Sequence, residues 1–215
     1  MVYLIPTFLY ENALQVLPAY ILEAVEKCDV FFVENVRSAR RYLKQLKREI
    51  VIDDFEWFSI GKAEKEVVQT FRQKIKDGKT IGIISEAGCP GVADPGQLLV
   101  AAAQELNTTV MPLVGPSSIL LALMASGMNG QQFRFAGYLP IKDHERNKAI
   151  KDLETDSVKR NSTQIFIETP YRNNQMMEAL CKNCNPSTKL CVAVDLTGQN
   201  ELIKTKSIAD WQKNK

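Results

Sequence analysis

Histidine and closely paired cysteines are scarce in this sequence. His144 is the single histidine, and Cys181 and Cys184 are the one close pair among five cysteines. Structural zinc sites use two such pairs, or one pair together with histidines. The sequence therefore predicts no metal site, and it predicts reduced thiols of the kind found in cytoplasmic proteins.

A long uninterrupted apolar segment is also missing. Residues 106–133 carry no charged side chain, but Pro112, Gly115, Pro116 and Gly127 interrupt them. A membrane-spanning helix needs about 20 consecutive apolar residues, so this stretch predicts a buried strand, a turn and a buried helix. The first residues show no signal-peptide pattern. We therefore expect a cytoplasmic protein with no membrane partner.

An excess of charge of one sign is lacking too, because 27 Lys and Arg oppose 25 Asp and Glu. Binding to a polyanion must then come from local clustering of charge. One basic segment has cations at spacings of three and four, which predicts that they share one flank of a helix. Such a flank can hold RNA phosphates, or it can simply be solvated. Its cations are Arg37, Arg40, Arg41, Lys44, Lys47 and Arg48.

Short apolar runs alternate with helical patterns in the first half of the 215 residues. This alternation predicts an α/β fold whose first domain has a mostly parallel, doubly wound sheet. The change to longer, more polar spacing places a boundary at Val114–Gly115, giving α/β domains at 1–114 and 115–215. The predicted strands are Val2–Ile5, Val30–Val33, Thr80–Ile84, Thr109–Leu113, Phe133–Gly137, Gln164–Glu168 and Leu190–Leu196, and a short strand or extended segment is expected around each of Ile50–Ile52 and Trp57–Ile60.

The most informative stretch is the segment Ser85–Gly96, named here the 85–96 loop. It holds three glycines, two prolines and two acids, and it joins a predicted strand to a predicted helix. Loops in that position usually have about 2 to 6 residues, and longer ones are usually functional. Its backbone amides can face a ligand. The alternative is a long turn that only reverses the chain.

Five segments in order resemble motifs of the tetrapyrrole methylase superfamily, in its branch of 16S ribosomal RNA cytidine 2′-O-methyltransferases. They are VENVRSARRYL at 33–43, SEAGCPGVADPG at 85–96, PLVGPSS at 112–118, FAGYLP at 135–140 and FIETPYR at 166–172. The resemblance implies two α/β domains with S-adenosylmethionine bound in the cleft between them, usually in a homodimer. It also implies methylation of a ribose 2′-hydroxyl of small-subunit ribosomal RNA. A small-molecule acceptor such as a tetrapyrrole, or a non-catalytic cofactor- or RNA-binding protein, are the alternatives.

The same resemblance implies roles for individual residues. Glu34 is expected to be the base near the attacking hydroxyl, with Arg37 holding a phosphate, although the two can also form a structural pair. Ser117 and Ser118 can equally cap a helix. The expected cofactor-binding residues are Pro6, Glu86, Ala87, Gly88, Cys89, Val92, Ser117, Ser118, Ile119, Phe166, Ile167 and Glu168.

Three departures from the family pattern stand out. The first loop reads IPTFLYEN at 5–12, where the family has two glycines that are missing here. Asn35 replaces an aspartate and Tyr171 replaces a histidine. No closing strand of the family precedes Lys215, so we expect the carboxy-terminal domain to be incomplete.

Overall fold

The computed structural model describes residues 1–60 and 64–213. The chain divides into two compact units, Met1–Ser118 and Ile119–Lys215, called unit 1 and unit 2 below. This division falls after Ser118, whereas the sequence placed the boundary at Val114–Gly115.

Unit 1 is an α/β unit around a five-stranded sheet in the order β3-β2-β4-β1-β5. Every recorded strand pairing in this sheet is parallel. Its elements are β1 (Val2–Ile5), α1 (Ile21–Glu26), β2 (Val30–Val33), α2 (Val36–Leu46), β3 (Glu56–Ser59), α3 (Glu64–Lys76), β4 (Ile81–Ile84), α4 (Gln97–Glu105) and β5 (Val110–Pro112), and α5 (Ser118–Ser126) begins at its last residue.

The sheet is doubly wound, as the sequence predicted. The connections from β1 to β3 run in one direction across the sheet, and those from β3 to β5 run in the other. Right-handed crossovers then place their helices on opposite faces. Two apolar cores reflect this: α1 and α2 pack in one with Phe31 and Ile84, and α3 and α4 pack in the other with Phe32 and Ile83.

The register brings several strand ends to one edge. Ile84 pairs with Ile5 on one side and with Val33 on the other. The residues that follow β1, β2 and β4 therefore leave the sheet side by side, and those that follow β5 leave at the same edge because Pro112 pairs with Leu4. We call this the carboxyl edge of the sheet.

One segment of unit 1, expected as a short strand or extended segment, is extended at Val51 but forms no strand. Ile52–Asp54 forms a turn of 3-10 helix, and Ile50–Ile52 belongs to no strand. The Trp57 indole donates a hydrogen bond to the Ile52 carbonyl at 3.1 Å, which occupies an acceptor that a sheet partner would use. Pairing with β2 begins only at Glu56.

Unit 2 has two small sheets: β6 with β7, which are parallel, and β8 with β9, which are antiparallel. A modest core around Ile150, Met176 and Ile208 holds it together. The sequence did not predict β9, in which lysines alternate with Ile203 and Thr205. Its elements are β6 (Phe133–Tyr138), α6 (Asp143–Arg160), β7 (Thr163–Ile167), α7 (Asn173–Asn183), β8 (Lys189–Val194), β9 (Leu202–Ser207) and α8 (Ile208–Gln212).

The described residues contain neither a membrane-spanning helix nor a metal-binding cluster. Within 1–60 and 64–213, no helix is both long and apolar enough to cross a membrane. The same ranges contain no group of three or more His, Cys, Asp or Glu side chains placed to hold a metal ion.

Candidate active site

The 85–96 loop leaves the carboxyl edge at the topological switch point of the sheet. It follows β4, which lies between β2 and β1. The helices that follow β1 and β2 cover one face, whereas the helix that follows β4 covers the other. Open α/β sheets bind their ligands in the crevice that this reversal creates. The fold therefore places the 85–96 loop where a ligand site is expected.

The first loop is fastened to the 85–96 loop by main-chain bonds. The Thr7 amide donates to the Gly88 carbonyl at 2.8 Å, and the Thr7 hydroxyl donates to the Ser85 carbonyl at 3.5 Å. From α2, the buried Tyr42 hydroxyl donates to the Pro6 carbonyl at 2.7 Å. Burial raises the pKa of Tyr42, so this hydroxyl remains a donor. Loss of the family's glycines has thus left Pro6 firmly positioned at the carboxyl edge.

The turn after β5 packs against both of these loops. A Cβ atom added to Gly115 would lie 2.1 Å from Pro6 Cβ, so only glycine fits there. The Cys89 thiol lies 3.5 Å from the Pro116 carbonyl, to which it donates. Burial, and then the charge of Asp94, raises the pKa of this thiol. Cys89 is therefore a packing residue with a protonated sulfur.

Glu34 sits between β2 and the 85–96 loop. Its Oε2 accepts a hydrogen bond from the Glu86 amide at 3.0 Å, and its own amide donates to the Ile84 carbonyl at 3.2 Å. The Ser38 hydroxyl donates to the Glu86 carboxylate. Within the described ranges, neither a partner for Glu34 Oε1 nor an ion pair between Glu34 and Arg37 is found. The structural pair considered from the sequence is therefore not formed.

Asn35, which replaces the family's aspartate, keeps a capping role. Its side chain accepts from the Arg37 amide at 2.9 Å and its backbone is extended, as at an N-cap. The Arg37 side chain is exposed and has no ion-pair partner among the residues that the structure describes. This substitution thus preserves the start of α2 and leaves Arg37 available to a ligand.

Asp94 is a candidate that the sequence reasoning missed. It lies half-buried in the 85–96 loop near Glu34 and Glu86. Burial, followed by the negative charge of Glu34, raises the pKa of Asp94 to about 6, although a hydrogen bond with the Ser85 side chain opposes the change. Perturbed carboxyls often mark functional sites. Its signal in the sequence was a second acid in a loop of glycines and prolines.

The backbone of the 85–96 loop suits a ligand that is held by the main chain. Glu86 and Ala87 are exposed, and Gly88 has φ of +70°. The amides of Ala87, Gly88 and Cys89 donate to no acceptor in the part of the chain described here. Main-chain amides without a protein acceptor can donate to solvent or to a ligand. The residues present therefore fit a cofactor whose oxygen and nitrogen acceptors reach these amides.

The basic segment is less uniform than its spacing suggested. Because α2 ends at Leu46 and Lys47 has an extended backbone, the expectation that all six cations share one helical flank is wrong for Lys47 and Arg48. The Lys44 ammonium donates to the Arg48 carbonyl at 2.9 Å. Three other cations are engaged in ion pairs: Arg40 with Asp53 at 3.0 Å, Arg41 with Glu11 at 3.3 Å and Lys47 with Glu26 at 2.6 Å.

The remaining sequence-predicted residues lie elsewhere. Val92 is half-exposed in the 85–96 loop, and α5 begins at Ser118, which puts Ser117 immediately before it.

Phe166 and Ile167 end β7 in unit 2, where the Glu168 carboxylate pairs with Arg172 at 2.6 Å. That carboxylate is therefore already neutralised by its own unit. Ile119 is the first residue of unit 2.

Comparison with known proteins identifies the family. The sequence model of the Tetrapyrrole (Corrin/Porphyrin) Methylases matches residues 17–211, and the chain belongs to this family. The resemblance drawn from the five motifs is thereby confirmed.

Particular relatives are similar to this chain over most of its length. It is 28% identical over 192 residues to a protein of Vibrio cholerae serotype O1 named ribosomal RNA small subunit methyltransferase I, covering 88% of this chain and 63% of the relative. The protein of that name in Escherichia coli O157:H7 is 29% identical over 185 residues, covering 85% and 61%. The chain thus spans somewhat more than three-fifths of the length of these relatives.

Solved structures support the fold. A uroporphyrin-III-C-methyltransferase from Thermus thermophilus matches with a TM-score of 0.56 at 16% identity, covering 97% of this chain and 83% of that one. The methyltransferase CobJ matches with a TM-score of 0.61 at 15% identity, covering 91% and 82%. At these identities the likenesses bear on the fold alone, and they support its α/β class.

Proposed function

We propose that this protein is an S-adenosylmethionine-dependent methyltransferase that modifies a ribose 2′-hydroxyl of small-subunit ribosomal RNA. The observation that carries the proposal is the junction of the 85–96 loop with Glu34 at the switch point of a methylase-family sheet. The names of the similar Vibrio and Escherichia proteins favour ribosomal RNA as the acceptor.

The cofactor would be held chiefly by main-chain groups. In unit 1 these are the amides of Ala87, Gly88 and Cys89, together with Pro6 and the turn that leads to Ser117. Residues Phe166–Glu168 of unit 2 are assigned by the family motif alone. S-adenosylmethionine supplies an electrophilic methyl group when it is bound. The protein contributes alignment and the exclusion of water, since methyl transfer from a sulfonium is an in-line displacement.

Glu34 is the proposed base, and its geometry suits that role. Oε2 is fixed by the Glu86 amide, so Oε1 is the oxygen that can accept the proton of a ribose hydroxyl. The hydroxyl oxygen would gain the methyl group as the bond from the methyl carbon to the sulfonium sulfur breaks and its electron pair stays on the sulfur, and Glu34 Oε1 would take the hydroxyl proton and pass it to water. The exposed Arg37 guanidinium, three residues along the chain, would hold a neighbouring phosphate.

Methyl transfer to isolated ribosomal subunits tests the proposal. The purified chain is incubated with S-adenosylmethionine carrying a labelled methyl group and with small subunits from cells that lack methyltransferase I. Label is expected in the ribosomal RNA, at one phosphodiester that becomes resistant to alkali because its 2′-hydroxyl is methylated. A protein that binds the cofactor but leaves this RNA unlabelled would contradict the proposed acceptor.

A homodimer and a cytoplasmic location complete the proposal. Leu120 and Met124, one turn apart on α5, are 51% and 79% exposed, and apolar side chains in that arrangement suit a subunit interface. Sedimentation of the chain is expected to give twice the monomer mass. A monomer at micromolar concentration would count against the dimer.

A further inference from the structure

Unit 2 contains a pocket that the family motifs do not touch. It has a volume of about 370 Å³, within the range of small-ligand sites. It lies at the amino ends of β6 and β7. The cofactor motif Phe166–Glu168 begins at the carboxyl end of β7, which is the opposite end of that strand. Its lining residues are Gln132, Phe133, Arg134, Asp156, Arg160, Ser162 and Gln164.

Among the described residues, no aliphatic side chain lines this pocket. One ring, Phe133, is 44% exposed, and the other lining residues are polar or charged. An apolar peptide or a lipid chain would gain little from such a surface. A flat heteroaromatic ring with polar edges would stack on Phe133 and find hydrogen-bonding groups beside it.

The cations of the pocket outnumber its acid. Arg134 lies 3.3 Å from Asp156, and Arg160 lies 3.7 Å from the same carboxylate. One aspartate is thus shared by two arginines, which leaves an excess of one positive charge. The Arg134 and Arg160 side chains are 63% and 71% exposed, so either can turn to a phosphate.

Gln164 supplies an unused hydrogen-bonding group. Its Nε2 donates to the Ser162 hydroxyl at 2.8 Å, while its buried Oε1 has no partner in the ranges that the structure describes. Because the two ends of an amide are interchangeable, one of them is unsatisfied whichever way it is turned. Gln164 pairs in register with Arg134, so this amide lies beside the cation. Glutamine amides recognise the edges of nucleobases.

We propose that this pocket binds a single-stranded nucleotide of the RNA substrate, with its base on Phe133, its edge at Gln164 and its phosphate at Arg134 and Arg160. The inference rests on the proposed function, because it takes RNA to be the acceptor. It adds a second RNA contact, in unit 2, to the one proposed for α2.

Binding of a fluorescein-labelled single-stranded RNA decamer, measured by polarisation without cofactor, tests this pocket. Phe133→Leu removes the stacking surface and is expected to weaken binding about fivefold or more. Arg160→Gln should weaken it severalfold and lower its salt dependence by about one phosphate contact. Asp156→Asn should strengthen binding, because it frees both arginines.

Matched changes outside the pocket serve as controls. Lys142→Gln removes an exposed cation of unit 2, and Asp152→Asn removes an exposed acid of α6. Both are expected to bind the RNA within twofold of wild type. Melting temperatures establish that every variant is folded.

Three outcomes would overturn the inference. In the first, Phe133→Leu and Arg160→Gln bind the decamer as wild type does. In the second, they lose affinity for free AMP but retain it for RNA, which would assign the pocket to a small nucleotide. If the wild-type chain binds no RNA, the proposed acceptor fails as well. Methyl transfer by wild type with normal RNA binding by the variants would leave the proposed function intact and remove only the pocket.

Discussion

The 85–96 loop and helix α2 are both proposed to bind ligands, the first a cofactor and the second RNA. The loop is held by main-chain contacts, such as Thr7 to Gly88, and its three glycines have positive φ angles that other residues rarely adopt. Helix α2 instead presents side chains, two of which, Arg40 and Arg41, are already paired with carboxylates of unit 1. Ligand binding by the loop would therefore depend on the shape of its backbone, and ligand binding by α2 on the charge of its side chains.

This difference predicts different responses to mutation. A buried contact between backbones has no flexible side chain to absorb an added atom. An exposed ion pair contributes little, with a typical value of about 0 to 1 kcal/mol. Changes at the carboxyl edge should therefore alter activity, cofactor affinity or stability far more than changes along α2.

The largest effect is expected at Glu34, where the two regions meet. Glu34→Gln keeps an oxygen that can accept a hydrogen bond from the Glu86 amide. Its neutral amide side chain cannot take the proton of the ribose hydroxyl. We expect kcat to fall about 100-fold or more, with little change in the affinity for S-adenosylmethionine. Glu11→Gln, which removes an exposed carboxylate paired with Arg41, is the control. Equal kcat in wild type and Glu34→Gln would assign the base elsewhere.

Gly115→Ala is expected to produce the next largest effect. Its Cβ would collide with Pro6, so the first loop must move, at a cost in unfolding free energy of about 1 to 3 kcal/mol. Cofactor affinity should fall about tenfold as Pro6 shifts, as measured by calorimetry. Gly130→Ala is the matched control, since its added Cβ meets nothing within 4 Å. If both variants behave alike, the close approach of these loops has no consequence.

The raised pKa of Asp94 predicts a smaller, pH-dependent effect. Its value of about 6 in the folded protein lies above the ordinary 3.8, so folding is favoured by protonation. That contribution is complete below about pH 4 and is lost as the pH rises through 6. Asp94→Asn, which has no such loss, should gain about 1 kcal/mol relative to wild type between pH 4 and pH 7, after allowance for solvent screening.

Urea unfolding across this pH range measures the Asp94 effect. Asp77→Asn, which removes an exposed acid at the end of α3, is the control for the loss of one surface carboxylate. If the difference in stability between Asp94→Asn and wild type does not change with pH, the Asp94 carboxyl is unperturbed.

The smallest effects are expected in the basic segment, at Arg37 of α2 and at Lys47, which follows the helix. Arg37→Gln removes an unpaired cation and should weaken binding of single-stranded RNA severalfold. Lys47→Gln removes a cation that is already paired with Glu26, so its effect should stay below twofold. Polarisation at two salt concentrations separates the two. Equal losses of RNA affinity in the two variants would mean that these ion pairs open when RNA binds. Paired and unpaired cations would then contribute alike.

The sequence predicted the architecture better than the site. Apolar runs such as Val30–Val33 indicated buried parallel strands, and the length of the 85–96 loop singled out a segment that leaves the sheet at its switch point. The spacing of cations could not show where α2 ends, because that depends on Lys47 adopting an extended backbone. Nor could it show that Arg40 meets Asp53, since that contact depends on the turn after Val51.

The hydrogen bonds that join the loops at the carboxyl edge could not be predicted from the sequence either. Thr7 and Ser85 are 78 residues apart, and their hydrogen bond depends on β1 and β4 being neighbours. The raised pKa of Asp94 depends on burial beside Glu34, which no local pattern records. The family motifs pointed to Glu34, but its link to the Glu86 amide emerged only from the folded chain.

The account rests on a cofactor site built by the backbone of the 85–96 loop, and calorimetric titration with S-adenosylmethionine tests it directly. In Gly88→Val, the new Cβ would lie 3.1 Å from Leu9 Cδ2 and 3.2 Å from the Pro116 carbonyl oxygen. Gly78→Val is the control, because Gly78 has a similar φ of +74° with no atom within 4 Å. We predict that wild type and Gly78→Val bind the cofactor and that Gly88→Val loses at least tenfold in affinity. Undiminished binding by Gly88→Val, or no binding by the folded wild-type chain, would contradict the account.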